Sequence, residues 1–266
     1  MTRILLTRLG GVGDLLFIEP TIRALYEKHY PCEIVFRTYK DYEGVLDYHP
    51  CISDIVYDTN EYRLGYPGIW IDDGTKFIQT SNSRVNGDWS SIVPEYWGNV
   101  NPRFDYHFDF QVTLTGKYLE NLATHAVHAY ANHANVKLHD IVPQVHYLKR
   151  ETPNYPLVVQ LTSAEKHRSL DKNQPVLDSL LKYKPYFIGE EKLEYSHFVS
   201  IINNCNLFVG TDSCGVIIAR GLNKKVIGIY KNKARLKVLS FDKMETFSEG
   251  DKIYKLAKAI VSAAGN

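Results

Sequence analysis

Apolar residues are concentrated in short continuous runs, and most of these runs end at a turn rich in glycine, serine or threonine. The first run, at 3–7, is followed by a glycine-rich turn at 9–14 and then by apolar positions spaced three or four residues apart up to Tyr30. A continuous apolar run is typical of a strand buried on both faces, and a period near 3.6 residues indicates a helix. The chain is therefore predicted to begin with a strand, a glycine turn and a helix.

The same alternation of strands and helices recurs along the rest of the chain. In the first half the pattern predicts strands at 33–37 and 52–57 and helices at 42–49 and 116–135. In the second half it predicts strands at 157–161, 186–189, 207–210 and 225–230 and helices at 174–183, 196–203, 214–221 and 250–264. Strands that alternate with helices form parallel sheets covered by helices, so the predicted fold class is α/β.

Two segments divide this pattern into domains. Residues 58–104 carry many glycines, prolines and aromatics, and we interpret them as an irregular insertion of loops and short strands near a ligand cleft. Residues 151–156 contain two prolines and form the predicted linker. We therefore expect a Rossmann-like domain at 1–150, a second at 156–249 and a C-terminal helix at 250–266, with ligands bound between the two domains at the carboxyl ends of the strands.

Composition narrows the class of protein. The chain has 266 residues and a net charge of +1, which does not indicate a nucleic-acid binder. No apolar run approaches the ~20 residues that span a membrane, and the first residues lack the pattern of a signal peptide. The four cysteines show no CxxC spacing, which favours reduced thiols in a cytoplasmic protein over a metal site or a disulfide framework.

The glycine turn between the first strand and the first helix contains Gly10, Gly11, Gly13 and Asp14. Glycines let the backbone approach a ligand, and a helix N-terminus favours negative charge. The dinucleotide fingerprint GxGxxG is not met, because Leu16 occupies its third glycine position, and no GK[ST] of a P-loop occurs. Asp14 is either a general base at the mouth of this turn or a cap of the following helix, and the local spacing leaves both interpretations open.

The second half offers a further set of polar residues after its strands. Small hydroxyl residues at the start of a helix suit a diphosphate, hydroxyls near a lysine can neutralise a leaving phosphate, and a carboxylate can hold ribose hydroxyls. Capped turns and solvated loops are the ordinary alternative for each. The candidate donor-binding residues are Thr162, Ser163, Lys166, Glu190, Thr211, Asp212, Ser213, Cys214 and Gly215. His125 and His128 share a predicted helix, but no further ligand can be placed beside them, so we predict no metal site.

These candidates coincide with the motifs of a known family. The segment 4–16, with Pro20 and the segment 23–25, is similar to the opening motif of glycosyltransferase family 9, the ADP-heptose:lipopolysaccharide heptosyltransferases, and the segment 206–213 resembles its donor-phosphate motif. The resemblance implies a GT-B architecture, with an acceptor-side N-terminal domain and a nucleotide-sugar-binding C-terminal domain. It also implies that Asp14 is the catalytic base and that Thr162, Ser163 and Lys166 contact the donor.

The expected reaction is the transfer of a sugar from a UDP- or ADP-linked donor to an acceptor hydroxyl, with inversion at the anomeric carbon and without a metal. The chain carries Cys214 and Ile217 where the family usually has Gly and His, and it is shorter than typical members. The acceptor is expected to be a saccharide such as the lipopolysaccharide core. Because the short, Asn-, Lys- and Tyr-rich chain also resembles proteins of large bacteriophages, a hydroxymethylated base in phage DNA is the alternative acceptor. A nucleotide-sugar epimerase and an inactive nucleotide-sugar-binding module are the alternative functions.

Overall fold

The computed structural model of the chain describes residues 1–58, 69–72, 77–80, 104–110, 125–163, 168–170, 180–181, 183–230, 239–242 and 244–248. These residues form two parallel sheets and one antiparallel hairpin. The strands are β1 (Thr2–Thr7), β2 (Cys32–Tyr39), β3 (Asp54–Asp58), β4 (Ile69–Asp72), β5 (Phe77–Thr80), β6 (Tyr106–Asp109), β7 (Tyr155–Gln160), β8 (Tyr186–Phe187), β9 (Cys205–Thr211), β10 (Lys225–Tyr230) and β11 (Glu245–Ser248). The helices are α1 (Val12–His29), α2 (Ala126–His133), α3 (Tyr195–Asn203) and α4 (Cys214–Gly221).

The first sheet contains strands from the N-terminal half in the order β3-β2-β1-β6, all parallel. Its centre is β1, where Ile4 and Leu6 are fully buried and pair with β2 on one side and β6 on the other. Helix α1 runs back along this sheet and buries Leu15, Ile18 and Ile22 against it. The chain order reverses between β1 and β6, and such a topological switch point is where open α/β sheets bind ligands.

The second sheet contains strands from the C-terminal half in the order β11-β10-β9-β7-β8, and all its pairs are parallel. Its topological switch point lies between β7 and β9, which pair from Tyr155↔Cys205 to Gln160↔Gly210. Residues on the two faces of these strands enter two separate apolar clusters, one of which includes Leu157, Val159 and Val209. Burial on both faces explains why these strands are continuous apolar runs in the sequence.

The two halves share one apolar core. Helix α1 packs against α2 and against α4, and a single cluster of buried residues includes Leu16 from the first half and Val216 from the second. Phe17 stacks on Phe241 with ring centroids 5.9 Å apart. The first turns of α1 and α4 meet directly, since a β-carbon at Gly13 would lie 3.3 Å from Ile217 Cδ1. The amino ends of both helices therefore face the same region.

The α/β class with two parallel sheets is confirmed, and most predicted strands and helices of the described residues are present. The helix predicted at 42–49 is wrong: a 3-10 helix covers only Lys40–Tyr42, and turns and bends follow. Gly44 in this segment has φ +91°, a left-handed conformation that no helix interior contains. Strands β6 and β11 were not predicted. The insertion includes the hairpin β4–β5, while the rest of 59–103 lies outside the described residues. Residues 116–124 of the helix predicted at 116–135, most of the helix predicted at 174–183, and all of the C-terminal helix predicted at 250–266 also lie outside them.

Among the described residues, the structure contains no helix with the length and apolarity needed to cross a membrane.

Candidate active site at the carboxyl ends of the two sheets

Asp14 lies in the first turn of α1 and is held on one side only. Its Oδ2 accepts a hydrogen bond from the Gly11 backbone nitrogen at 3.0 Å and an ion pair from Arg8 Nη2 at 3.2 Å. Within the described residues Oδ1 has no hydrogen-bond partner, and the side chain is 33% exposed. Asp14 therefore caps the helix, since it accepts from the N-cap amide, but this role uses only one of its two oxygens.

Arg8 fixes this arrangement from the end of β1. Its side chain is 5% exposed, and Nη1 donates to the Phe110 carbonyl at 3.0 Å, directly after β6. The guanidinium thus bridges β1 and β6 at the topological switch point of the first sheet. A β-carbon at Gly10 would lie 2.5 Å from Arg8 Nε and 2.8 Å from Asp14 Oδ2, so the ion pair requires a residue without a side chain there. A buried guanidinium needs such a charged partner.

The loops after β7, β8 and β9 bring the described part of the predicted donor site together. Thr162 Oγ1 donates to the Gly189 carbonyl at 2.6 Å, which joins the loop after β7 to the loop after β8. Ser213 is the N-cap of α4, and its Oγ donates to Gln160 Oε1 at 2.8 Å, which joins α4 to the end of β7. These contacts place Thr162 and Ser213 around the switch point of the second sheet.

The loop that contains Lys166 is anchored at both of its described ends. The Ser163 backbone nitrogen donates to Ser169 Oγ at 2.9 Å, and Thr211 Oγ1 donates to the Arg168 carbonyl. Lys166 itself lies outside the described residues. The contact of Thr211 places Arg168 beside the end of β9.

The remaining predicted donor residues differ in exposure. Asp212 and Gly215 are buried at the start of α4, whereas Glu190 is exposed after β8. Burial raises the pKa of the Cys214 thiol to about 11, so this cysteine is protonated at neutral pH and is not a nucleophile. Ile217, the residue that contacts the first turn of α1, places an apolar methyl group between the two helix ends.

A cluster of Glu19, His49 and His146 is the one group among the described residues whose ligand atoms lie within 4.8 Å of one another, as a metal site requires. Glu19 is fully buried, and its Oε1 accepts from Arg23 Nε at 2.8 Å and contacts His49 Nε2 at 3.1 Å, while its Oε2 accepts from the Gln144 backbone nitrogen at 2.9 Å.

The hydrogen bonds argue against a metal ion in this cluster. The Cys51 backbone nitrogen donates to His49 Nδ1 at 3.1 Å, so Nε2 carries the ring proton and donates it to Glu19. A metal on Nε2 would displace that proton and would also lie beside the guanidinium of Arg23. We therefore interpret the cluster as a structural clamp that ties α1 to the 142–146 segment, and its residues were not identified from the sequence.

The histidines considered as metal ligands have structural roles. His125 is the N-cap of α2, where its Nδ1 accepts from the Val127 backbone nitrogen at 3.3 Å, and its ring packs against Phe17 and Phe241. Burial is the main cause that lowers the pKa of His125 to about 4. Its ring contact with His128 has centroids 6.5 Å apart, and no carboxylate or cysteine joins the pair as a metal-ligand group among the described residues.

No protein-family model and no curated protein matches the chain, but solved structures do. A glycosyltransferase family 9 structure from Veillonella parvula DSM 2008 is 14% identical, with a TM-score of 0.65 over 99% of this chain and 96% of that chain. E. coli ADP-heptose lps heptosyltransferase II is 11% identical, with a TM-score of 0.63 over 99% and 98%. E. coli heptosyltransferase WaaC with ADP is 9% identical, with a TM-score of 0.60 over 98% of each chain.

These matches extend over nearly the whole length of this chain and of each matched chain, so the likeness is to the complete two-sheet arrangement and not to one Rossmann-like half. Together with the strand order of the two sheets, they show the fold. The chain has the GT-B fold of the family 9 glycosyltransferases and heptosyltransferases.

Proposed function

We propose that this protein is an inverting glycosyltransferase that moves a sugar from a nucleoside diphosphate donor to an acceptor hydroxyl. The observation that carries the proposal is the state of Asp14. One of its oxygens is fixed by Gly11 and Arg8, and the other has no hydrogen-bond partner among the described residues, in a helix turn that meets α4 at Gly13. A base needs such an oriented but unoccupied oxygen.

In the proposed reaction the acceptor hydroxyl gives its proton to Asp14 Oδ1, and its oxygen attacks the anomeric carbon. The bond from that carbon to the diphosphate oxygen breaks on the opposite face, and its electron pair leaves with the nucleoside diphosphate. One displacement with one carboxylate inverts the configuration at the anomeric carbon. The acceptor therefore belongs to the side of Asp14, in the first half of the chain.

The departing diphosphate belongs to the second half. The amino end of α4 and the residues Thr162, Ser163 and Ser213 lie around the β7–β9 switch point, and Lys166 follows Ser163 in the sequence. In the proposed mechanism the positive end of the α4 dipole and the ammonium group of Lys166 stabilise negative charge on the leaving group, and no metal is required.

The proposed donor is linked to ADP in the first instance, because the WaaC structure of the same fold contains ADP. We do not extend the proposal to a particular sugar, because Ile217 gives the junction of the two helices an apolar surface. A saccharide is the proposed acceptor. The proposal also assigns the protein to the cytoplasm, where buried thiols such as Cys205 stay reduced.

The test is incubation of the purified protein with a panel of ADP- and UDP-linked hexoses, pentoses and heptoses, with and without saccharide acceptors. Release of the nucleoside diphosphate, accelerated by an acceptor, supports the proposal. Isomerisation of the sugar without release would establish an epimerase instead, and binding without any turnover would establish a nucleotide-sugar-binding module. A modified DNA duplex included as an acceptor tests the alternative target in the same assay.

A further inference from the structure

Gln160 is a buried polar residue at the centre of the second half that sequence reasoning did not assign to the site. It is the last residue of β7, it pairs with Gly210 of β9 across the topological switch point, and it is 6% exposed. Its Oε1 accepts the hydrogen bond from Ser213 Oγ at 2.8 Å. A β-carbon at Gly215 would overlap this oxygen, so the amide lies directly against the first turn of α4.

The other end of the amide faces the loop after β8. A β-carbon at Gly189 would lie 3.3 Å from Gln160 Nε2 and 2.7 Å from Thr162 Oγ1, and that hydroxyl donates to the Gly189 carbonyl. Within the part of the chain that the structure describes, Nε2 has no hydrogen-bond partner. This nitrogen carries two N–H donors, and it is not among the fully buried side-chain atoms without a hydrogen bond, so solvent or a ligand can reach it.

From this geometry we infer that Gln160 binds the donor, with Nε2 donating a hydrogen bond to an oxygen of its diphosphate while Oε1 holds Ser213 at the start of α4. The inference rests on the proposed function and adds a residue to its donor site. A phosphate oxygen is the acceptor that fits, because the adjacent amino end of an eight-residue helix favours an anion. The same side chain then sets both the position of the helix turn and one contact to the ligand.

The test is titration calorimetry of ADP and of UDP with the full chain and with two variants. Gln160→Glu retains an acceptor for Ser213 but replaces the donating nitrogen by an anionic oxygen. Gln160→Met removes the donor, and also the acceptor for Ser213, without adding charge. Because a hydrogen bond to a charged group is worth more than a neutral one, we expect each variant to bind the diphosphate about 10-fold to 100-fold more weakly than the wild type. Titration of the nucleoside alone, followed by NMR, should show unchanged affinity.

Asn204→Asp is the matched control. It makes the same amide-to-carboxylate change directly before β9, at the amino ends of the strands of the same sheet, where Asn204 Nδ2 donates to the Thr152 carbonyl at 2.9 Å. We expect its affinity for the diphosphate to equal that of the wild type. Thermal unfolding of every variant shows whether it is folded, and Gln160→Met carries the test if the buried charge of Gln160→Glu prevents folding.

The outcomes separate the inference from the proposed function. If the wild type binds a diphosphate and Gln160→Met binds it equally well, the inference is wrong and the proposed function stands. If affinities for the nucleoside and the diphosphate fall by the same factor, Gln160 has only a structural role and the inference is again overturned. If the wild type binds neither ADP nor UDP, the donor site itself, and with it the proposed function, is wrong.

Discussion

Replacing Asp14 by Asn separates the catalytic role of this residue from its role as a cap. Asn has one carbonyl oxygen, which can take the place of Oδ2 and accept from the Gly11 nitrogen and from Arg8. Its amide group then replaces Oδ1, the oxygen that we propose to receive the proton. Asn caps a helix about as well as Asp, so the first turn of α1 is preserved while the basicity is lost.

The expected magnitudes differ for turnover and for stability. A general base typically contributes about 10²–10⁴-fold to the rate, which corresponds to about 3–5 kcal/mol of transition-state stabilisation. The ion pair with Arg8 loses its negative member, but Arg8 keeps its hydrogen bond to the Phe110 carbonyl, and Asp14 is one-third exposed. We therefore expect a loss of about 1–3 kcal/mol in the free energy of unfolding, below the ~3–5 kcal/mol of a fully buried broken pair. At ~2–4 °C per kcal/mol, the protein stays folded at 25 °C.

The assay measures transfer, donor affinity and thermal unfolding on one preparation. We expect kcat to fall at least about 100-fold while the Kd of the donor is unchanged, since a base acts only in the transition state. Asp105→Asn is the control. The Asp105 carboxylate also accepts a hydrogen bond from a backbone nitrogen, that of Arg3 at 2.7 Å, but it lies at the amino ends of the strands of the same sheet. Near-normal turnover by Asp14→Asn would refute the catalytic role and leave Asp14 as a cap and the ion-pair partner of Arg8.

Three further predictions concern stability. Glu19→Ala removes the shared partner of Arg23, His49 and the Gln144 nitrogen, and urea denaturation should show a loss of about 3–5 kcal/mol in the free energy of unfolding. The control Glu27→Ala, at an exposed position of the same helix, should change it by less than about 0.5 kcal/mol, and similar small losses in both variants would contradict the clamp. Burial is the main cause that lowers the pKa of His107 and of His125 to about 4, whereas a histidine in the unfolded chain has a pKa of about 6.5, so the unfolded chain binds more protons as the pH falls below about 6.5. The free energy of unfolding should therefore fall by roughly 2 kcal/mol per histidine between pH 8 and pH 5, and a flat urea-denaturation profile over this range would contradict their buried neutral state. Gly13→Val should lower the free energy of unfolding by about 1–3 kcal/mol, because the new side chain overpacks against Ile217. In a double-mutant cycle the added Ile217→Ala substitution should recover much of that loss, and additive effects would show that the two helix ends do not touch in solution.

The elements that sequence reasoning predicted are those with strong local patterns. The helix at 214–221 and the strand at 225–230 have the predicted bounds, because a continuous apolar run and a 3.6-residue period do not depend on distant residues. Strands β6 and β11 were missed because each has only four residues and neither is a continuous apolar run. The helix predicted at 42–49 failed because Gly44 adopts a left-handed conformation, which its neighbours in the sequence do not reveal.

The same distinction between local patterns and distant contacts applies to the residues of the candidate site. Asp14 and Ser213 could be proposed from the sequence because they follow a strand and start a helix, which is a local signal. Arg8 and Gln160 were missed because their partners, the Phe110 carbonyl and the Ser213 hydroxyl, lie 102 and 53 residues away along the chain. A signal was present nonetheless, since each is a polar residue at the end of an apolar strand. Glu19 gave a similar signal, because it lies four residues after Leu15 and three before Ile22 on the apolar face of α1.

The charges at the two helix ends agree with the different tasks that we propose for the two halves. In the first half Arg8, from the end of a strand beside a switch point, holds Asp14 in the first turn of α1; in the second half Gln160, from the same place in its own sheet, holds Ser213 at the start of α4. The carboxylate of Asp14 offsets the positive end of the α1 dipole, so this end does not attract a phosphate. The first turn of α4 contains no acidic residue, and its N-cap is a neutral hydroxyl. This difference supports our proposal that the anionic donor binds to the second half and that the acceptor hydroxyl meets Asp14 in the first.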